Sequence, residues 1–191
     1  MKNIRIILRD KICNGENFQF IKFGDGEFLC MMGSIGHNCD LHPYSRDLGE
    51  KLSQAYQYLA PLESAYIAEW REDKFEGFTR ELNSKLPCSP QYVPYEALLS
   101  NNLDSELYHL YKGVKDSRRK KIFIGNKRMR GIIRLLDIDN FIEIPEINCF
   151  AKYDSILNAL KPLNDTNNIF LFSAGMPAKC LIHELVSINL F

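Results

Sequence analysis

Short apolar runs alternate with longer amphipathic segments along the chain. Runs rich in β-branched and aromatic residues predict strands at residues 17–23, 64–70, 121–125, 140–145 and 167–175. Apolar residues at helical spacing predict helices at residues 2–13, 44–59, 72–86, 104–114, 128–136, 152–163 and 176–188, with a further short helix after residue 27. Residues 89–102 stay ambiguous, because Pro90 and Pro94 oppose regular structure at their start.

This alternation predicts an α/β fold. Short apolar strands separated by helices favour a mainly parallel sheet with helices on both faces, a Rossmann-like plan. The chain has 191 residues, which suits a single domain spanning residues 1–191. In such sheets ligands bind outside the carboxyl ends of the strands, so the residues that follow each strand are the candidates for function.

Charge is balanced over the whole chain but not along it. The 24 basic and 24 acidic residues argue against a dedicated nucleic-acid-binding protein. Residues 115–134 nevertheless carry nine Lys or Arg and one Asp. We interpret Arg118, Arg119, Lys120 and Lys121 as a solvated face. Lys127 and Arg128 follow an apolar strand and a glycine, where a ligand is expected.

Cysteine spacing and hydropathy indicate the compartment. Six scattered cysteines without a CxxC pair fit reduced thiols better than disulfides or a zinc site. The charged N-terminus does not resemble a signal peptide, and no apolar window is long enough for a transmembrane segment. We therefore expect a soluble, cytoplasmic protein, and peripheral contact of its basic patch with the inner face of the membrane remains open.

The first strand is followed by Gly24-Asp25-Gly26-Glu27. In an extended chain the Asp25 and Glu27 side chains would share one face, and the glycines would let a ligand come close. Two hard oxygen ligands suit Mg²⁺ or Mn²⁺, which complete their shell with water and substrate phosphates. A polar turn without a metal explains the same residues, since Asp and Gly are both common in turns.

Other strand ends add basic and amide groups. Asn126, Lys127 and Arg128 follow the strand at 121–125, and Glu146 follows the one at 140–145. Ser173, Ala174 and Gly175 precede a predicted helix, where the helix dipole and backbone amides favour phosphate, and Lys179 lies one turn further on. An ordinary β–α turn is the alternative. Together these groups predict a site for a phosphorylated ligand held through a divalent cation.

Three other phosphate or metal motifs are weak or absent. A G-x-G-x-x-G fingerprint fails because Leu29 stands where its third glycine or alanine belongs. No P-loop lysine motif is present, and no series of ligands continues past Glu27 as in an EF-hand.

Four segments resemble one protein family. The stretch "FIKFGDGEF" resembles the "RFGDGE" signature of bacterial glycosyltransferases with the GT-D fold, a family long described as a domain of unknown function. Similar segments follow in the family's order: "KIFIGNKRM", "FIEIPEINCFAKYDSIL" and "IFLFSAGMPAKCLIHEL". The resemblance covers most of residues 15–187. Lys22 replaces the family's arginine, which loses the bidentate grip on phosphate.

The resemblance implies a Rossmann-like enzyme that transfers a sugar from a nucleotide diphosphate sugar, usually UDP-linked, with a divalent metal bound by a D-x-E motif. Carried over by position, the motif is Asp25 and Glu27. The resemblance also implies an acceptor in a cell-surface polysaccharide or glycoprotein pathway. The family continues with a further strand beyond the position of Phe191, so this chain is either a short member or lacks a C-terminal element.

We therefore expect a metal-dependent glycosyltransferase. The donor diphosphate would contact Mn²⁺ or Mg²⁺ and a set of chain groups: Lys22, Gly24, Gly26, Asn126, Lys127, Arg128, Ser173, Ala174, Gly175 and Lys179. Glu146 is the first candidate for the base that activates an acceptor hydroxyl, and His42 the second. Tyr44 and Trp70 are candidates for stacking, and the loop of residues 33–43 for a lid.

The sequence leaves two alternatives open. One is a catalytically inactive domain of the same fold that binds a nucleotide sugar or a partner. The other is a different metal-dependent phosphate-processing enzyme, such as a phosphohydrolase.

Overall fold

The structure is a computed structural model that describes residues 3–39, 41–69, 73–98 and 104–189. The strands are β1 (Gln19–Phe23), β2 (Ala65–Glu69), β3 (Gln91–Val93), β4 (Lys120–Gly125), β5 (Asn140–Glu143) and β6 (Asn168–Ser173). The helices are α1 (Ile4–Asn14), α2 (Asp25–Met31), α3 (Arg46–Leu59), α4 (Glu76–Ser84), α5 (Ser105–Asp116), α6 (Ile132–Leu136), α7 (Tyr153–Leu160) and α8 (Pro177–Asn189).

All strand pairings between these elements are parallel, which confirms the predicted α/β class. The first sheet has the order β1-β2-β3, with Ile21 opposite Ile67 in the register of β1 and β2. The second sheet has the order β5-β4-β6, with Ile124 opposite Phe172 in β4 and β6. The sequence predicts one sheet, whereas the strands form two three-stranded sheets whose edge strands β1 and β6 face each other.

We call the line between β1 and β6 the seam. At its amino end, the Arg119 guanidinium donates to the Glu16 carbonyl at 3.3 Å and to Asn17 Oδ1 at 2.7 Å, just before β1. The same group donates to the carbonyls of Thr166 and Asn168, where β6 begins. One side chain therefore joins the starts of the two sheets.

Helices cover both faces across the seam. On one face α3 packs along α8, and on the other α1 packs along α5. The cluster under α1 and α5 includes Phe20 of β1 together with Phe123 of β4 and Leu171 of β6. Because each face buries apolar residues from both sheets, the predicted helix–sheet–helix layers are confirmed.

Local capping sets several helix ends. The Ser45 side chain accepts a hydrogen bond from the Leu48 amide at 3.2 Å and begins α3, and Asp104 does the same for the Leu107 amide at 2.8 Å and begins α5. Helix α1 ends at Gly15, whose φ of 72° is left-handed.

Three sequence expectations need correction. β3 lies inside the segment left ambiguous, and the single helix predicted at 128–136 is a 3₁₀ turn at Lys127–Gly131 followed by α6. In the run interpreted as a solvated face, Arg118 and Lys120 are exposed, but Arg119 is half-buried and Lys121 is buried. The Lys121 ammonium donates to the Ser117 carbonyl at 3.0 Å. A neutral backbone oxygen therefore accepts a hydrogen bond from this buried side chain.

Among the described residues, the structure has no helix with the length and apolar character needed to span a membrane.

Candidate functional site

The carboxyl end of β1 leads directly into helix α2. Gly24 is its N-cap, Asp25 its first residue and Glu27 its third. The expectation of an extended turn is therefore wrong, and the two carboxylates do not share a face, because residues two apart in a helix diverge. Asp25 is exposed, whereas Glu27 is buried with 7% of its surface accessible.

Both oxygens of the Glu27 carboxylate have donors within the protein. Oε2 accepts from the Gly24 amide at 2.8 Å, as in a capping box. Oε1 forms an ion pair with the Lys179 ammonium of α8, which also donates to the Gly175 carbonyl at 3.2 Å. Glu27 therefore joins the start of α2, on the first sheet, to the start of α8, on the second sheet.

The glycines of this turn make room for protein side chains. A Cβ at Gly24 would lie 2.9 Å from Tyr95 Oη and 3.0 Å from Glu27 Oε2. A Cβ at Gly26 would lie 3.0 Å from the Cβ of Asn38. The sequence interpretation explained these glycines by the close approach of a ligand. The structure explains them by contacts within the chain, because a side chain at either position would crowd a neighbouring side chain.

Lys22 and Tyr95 form a second pair at the end of β1. The Lys22 ammonium lies 4.1 Å from the centroid of the Tyr95 ring, a cation–π distance. Burial lowers the pKa of Lys22, and the neighbouring Lys179 charge lowers it further. Burial raises the pKa of Tyr95, and the carboxylates of Glu27 and Asp25 add to that shift. Lys22, Tyr95, Asp25, Glu27 and Lys179 thus share one charged neighbourhood.

The loop predicted as a lid folds into a hairpin beside α2. His37 and Pro43 form an antiparallel bridge, and the Tyr44 amide donates to the Gly36 carbonyl at 2.8 Å. The His42 amide donates to Asn38 Oδ1 at 2.9 Å, and His42 is only 3% exposed. In this conformation its ring is not accessible to an acceptor.

Tyr44 also lies near the carboxylates. Its pKa is raised by burial first and by the Asp25 charge second, and the ring packs against the core cluster under α3 and α8. The second stacking candidate, Trp70, lies outside the described residues, as do Arg71 and Glu72 after β2.

The turn from β6 to α8 has the predicted composition. Ser173 is exposed at the end of β6, Ala174 is buried, and Gly175 has a φ of 59°. This left-handed conformation favours glycine and turns the chain into α8. Amides at the start of an α-helix lack partners within the helix, so this turn offers donors toward the seam.

The β4 and β5 turns follow strands that lie beyond β6 from β1, with β4 at the centre of the second sheet and β5 at its far edge. Asn126 Oδ1 accepts from the Arg128 amide at 3.0 Å and so caps the Lys127–Gly131 turn. The exposed Arg128 guanidinium pairs with the Glu146 carboxylate at 2.8 Å. The candidate phosphate ligand and the candidate base therefore neutralise each other, and Lys127 is exposed beside them.

The structure thus brings together the predicted residues of β1, α2 and α8, and places those after β4 and β5 beyond β6, away from the first sheet. Sequence reasoning missed Tyr95 and Asn38. Tyr95 had one usable signal, since it follows the short apolar run "YV", but the flanking prolines concealed that strand. Nothing in the sequence pattern pointed to the contact of Asn38 with Gly26.

Within the described ranges, no group of three or more His, Cys, Asp or Glu side chains is arranged to hold a metal ion. Asp25 is the exposed carboxylate of the D-x-E segment, and Glu27 is engaged by Gly24 and Lys179. Mg²⁺ is usually bound through one or two carboxylates, with water and substrate phosphates completing its shell. A metal at this site would have Asp25 as its one exposed carboxylate of the D-x-E segment and would need a phosphorylated ligand and water to complete its shell.

Comparison with solved structures identifies the fold. A selenomethionine structure of domain of unknown function 1792 superposes with a TM-score of 0.68 and 19% identity, over 97% of this chain and 74% of that chain. A second structure of domain 1792, described as having a distinct glycosyltransferase fold, gives a TM-score of 0.65 and 20% identity over 97% and 74%. This chain has that fold.

A third neighbour of the same fold is described as a new glycosyltransferase of domain 1792 from Streptococcus sanguinis. It superposes with a TM-score of 0.68 and 16% identity, over 97% of this chain and 76% of that chain. No protein-family model and no curated protein matches the sequence. The GT-D resemblance found in four sequence segments is therefore confirmed at the level of the fold.

Proposed function

We propose that this protein is a glycosyltransferase that transfers a sugar from a nucleotide diphosphate sugar, with a UDP-sugar as the expected donor, to a glycan or glycoconjugate acceptor. One observation carries the proposal: an exposed carboxylate, Asp25, and a half-buried cation, Lys22, lie at the carboxyl end of the seam, beside the N-terminus of α8. Ligands of open α/β sheets bind in this place. Its charges suit a diphosphate and a cation together.

The chain's own groups have distinct roles in this proposal. The Lys22 ammonium and the amides at Ser173–Gly175 hold the diphosphate and stabilise the negative charge that grows as the glycosidic bond breaks. Asp25 would hold Mn²⁺ or Mg²⁺. When bound, such a metal supplies positive charge that stabilises the leaving nucleotide diphosphate. Lys127 and Arg128, which follow the central strand of the second sheet, remain predicted ligands.

The base for the acceptor hydroxyl stays a prediction. Glu146 is exposed but paired with Arg128, on a strand separated from the seam by β4 and β6. His42 is buried in the hairpin. For either residue to act as a base, the acceptor must reach it or the local structure must change.

Donor turnover tests the proposed function. The protein is incubated with UDP-glucose, UDP-galactose or UDP-N-acetylglucosamine and Mn²⁺, and released UDP is measured. We expect UDP release by the wild type and a loss of about 100-fold in Asp25→Asn. Asp154→Asn is the matched control, because Asp154 is likewise an exposed Asp in the first turn of a helix, α7, and should stay near wild type.

Two outcomes would point to the alternatives. UDP-dependent thermal stabilisation without any turnover would indicate a binding domain that has lost catalysis. Release of UMP and sugar 1-phosphate in place of UDP would indicate a phosphohydrolase that cleaves the diphosphate, and the glycosyltransferase proposal would then be wrong.

A further inference from the structure

Glu27 and Lys179 form a nearly dry ion pair across the seam. Their side chains are 10% and 12% exposed, although they lie 152 positions apart in the sequence. Each partner also has a backbone contact, Glu27 with the Gly24 amide and Lys179 with the Gly175 carbonyl. The pair thus connects the two turns that carry the remaining candidate ligands.

The local backbone is built around this contact. Gly24 cannot carry a side chain without moving Glu27 Oε2 or Tyr95, because a Cβ there would lie within 3.0 Å of both. The Gly24 amide holds Oε2, so Oε1 points to Lys179. Making Glu27 a metal ligand would break these contacts and leave the Lys179 ammonium without a carboxylate, a costly change for a buried group.

We propose that Glu27 is a positioning residue, not a metal ligand: its pair with Lys179 holds the Asp25 turn of α2 against the Ser173–Gly175 turn of α8. Asp25 is then the carboxylate of the D-x-E segment that contacts a metal. This inference rests on the proposed function, since it assigns roles within the same donor site. It also gives Lys179 a role that differs from direct phosphate binding.

Substitutions at the two positions separate the roles. Glu27→Gln keeps an oxygen that can accept from the Gly24 amide but removes the charge. Lys179→Met removes the ammonium and keeps a long apolar stem. The double variant removes both charges, so no buried charge is left unpaired. Glu81→Gln and Lys85→Met form the matched control, because Glu81 and Lys85 make an exposed pair on the α4 surface.

Two quantities are measured for each variant: the melting temperature without ligand, and the UDP dissociation constant with and without Mn²⁺. We expect Glu27→Gln to lower the melting temperature by about 5 °C, and the added Lys179→Met to restore most of it. The control pair should change the melting temperature by less than about 2 °C.

The effect of Mn²⁺ on UDP affinity distinguishes a positioning residue from a metal ligand. We expect the ratio of the two dissociation constants to stay within about threefold of wild type in Glu27→Gln, and to fall to about one in Asp25→Asn. UDP affinity itself should weaken in Glu27→Gln and recover in the double variant, because the double variant leaves no unpaired charge between the two turns.

A ratio that falls to about one in Glu27→Gln, with no recovery in the double variant, would show that Glu27 is a metal ligand and overturn the inference. Additive melting-temperature changes would overturn it as well. If the wild type binds no UDP under either condition, the proposed function fails, while the melting-temperature cycle still decides whether Glu27 and Lys179 stabilise the seam together.

Discussion

At the scale of single residues, the candidate site is shaped by contacts between its own side chains. Gly24 leaves space for Tyr95, Gly26 leaves space for Asn38, and Lys22 lies over the Tyr95 ring. Burial and the Lys179 charge both disfavour the protonated form of Lys22 and lower its pKa. An anionic ligand would relieve that repulsion, because it adds negative charge next to two ammonium groups.

Tyr95 gives a prediction at this scale. Tyr95→Leu removes the ring under Lys22, and we expect UDP binding to weaken by about twofold to thirtyfold, since a cation–π contact contributes about 0.5–2 kcal/mol. Tyr95→Phe keeps the ring and should bind UDP nearly as well as wild type. Isothermal titration calorimetry measures both, and Tyr108→Leu, at an exposed tyrosine of α5, is the control.

Equal weakening in Tyr95→Phe and Tyr95→Leu would contradict the role of the ring and point to the hydroxyl instead.

Candidate site residues could be predicted where a charged side chain follows a predicted strand. Asp25, Glu27 and Lys179 could be predicted to lie together because they follow strands, and parallel strands end at one edge of a sheet. Their pairing was not predictable. Whether Glu27 faces a ligand or Lys179 depends on where α2 begins, and a start one residue after Gly24 turns the carboxylate inward. Tyr95 was missed because the strand before it, β3, has only three residues and is flanked by prolines.

At the scale of elements, α2 is held in place by a close crossing with α3. A Cβ at Gly49 of α3 would lie 2.6 Å from the Cys30 carbonyl oxygen of α2. This distance is shorter than any ordinary contact, so glycine is required where the two helix backbones meet. The orientation of Asp25 therefore depends on a glycine in the next helix.

Gly49→Ala tests this dependence. We expect a loss of about 1–3 kcal/mol in the free energy of unfolding and weaker UDP binding, because α2 must move away from α3. Gly77→Ala in α4 is the matched control, since a Cβ there meets nothing within 4 Å. It should leave UDP binding unchanged and stabilise the protein by up to about 1 kcal/mol. Urea unfolding and calorimetry give both quantities.

If Gly49→Ala were as stable as wild type, the crossing of α2 and α3 would accommodate a side chain at this position, and glycine would not be required there.

Helix and strand positions were largely predictable from periodicity, and their ends were not. The strongest pattern, residues 44–59, corresponds to α3 at Arg46–Leu59, and the cap at Ser45 fixes its start. The 128–136 segment has a helical pattern, but its first part belongs to a 3₁₀ turn, Lys127–Gly131, which the Asn126 side chain caps. Such local hydrogen bonds depend on side-chain direction, which apolar spacing does not report.

At the scale of the whole molecule, two three-stranded sheets meet along the seam and share helix layers on both faces. Arg119 joins the sheets at the amino end, and the Glu27–Lys179 pair joins them at the carboxyl end. The sequence predicted the parallel strands and the covering helices. It did not predict the seam, because periodicity shows which segments are strands but not which strands pair.

Arg119→Met tests the amino end. We expect it to lower the free energy of unfolding by about 2–3 kcal/mol, because four backbone and side-chain acceptors lose a charged donor. Arg118→Met is the matched control at an exposed neighbour and should change stability by less than about 0.5 kcal/mol. Urea denaturation followed by circular dichroism measures the difference. Similar losses in the two variants would mean that the bridging contacts do not stabilise the seam.

The two ends of the seam also bear on how the chain folds. Arg119 and Asn17 are 102 positions apart, and Lys179 and Glu27 are 152 positions apart. Contacts between such distant residues form slowly, because the loops they close lose much conformational entropy. During synthesis the Glu27 carboxylate therefore has no partner for this ion pair until the chain has been made as far as Lys179. We therefore expect the contacts between the two sheets, which complete the candidate site, to form late in folding.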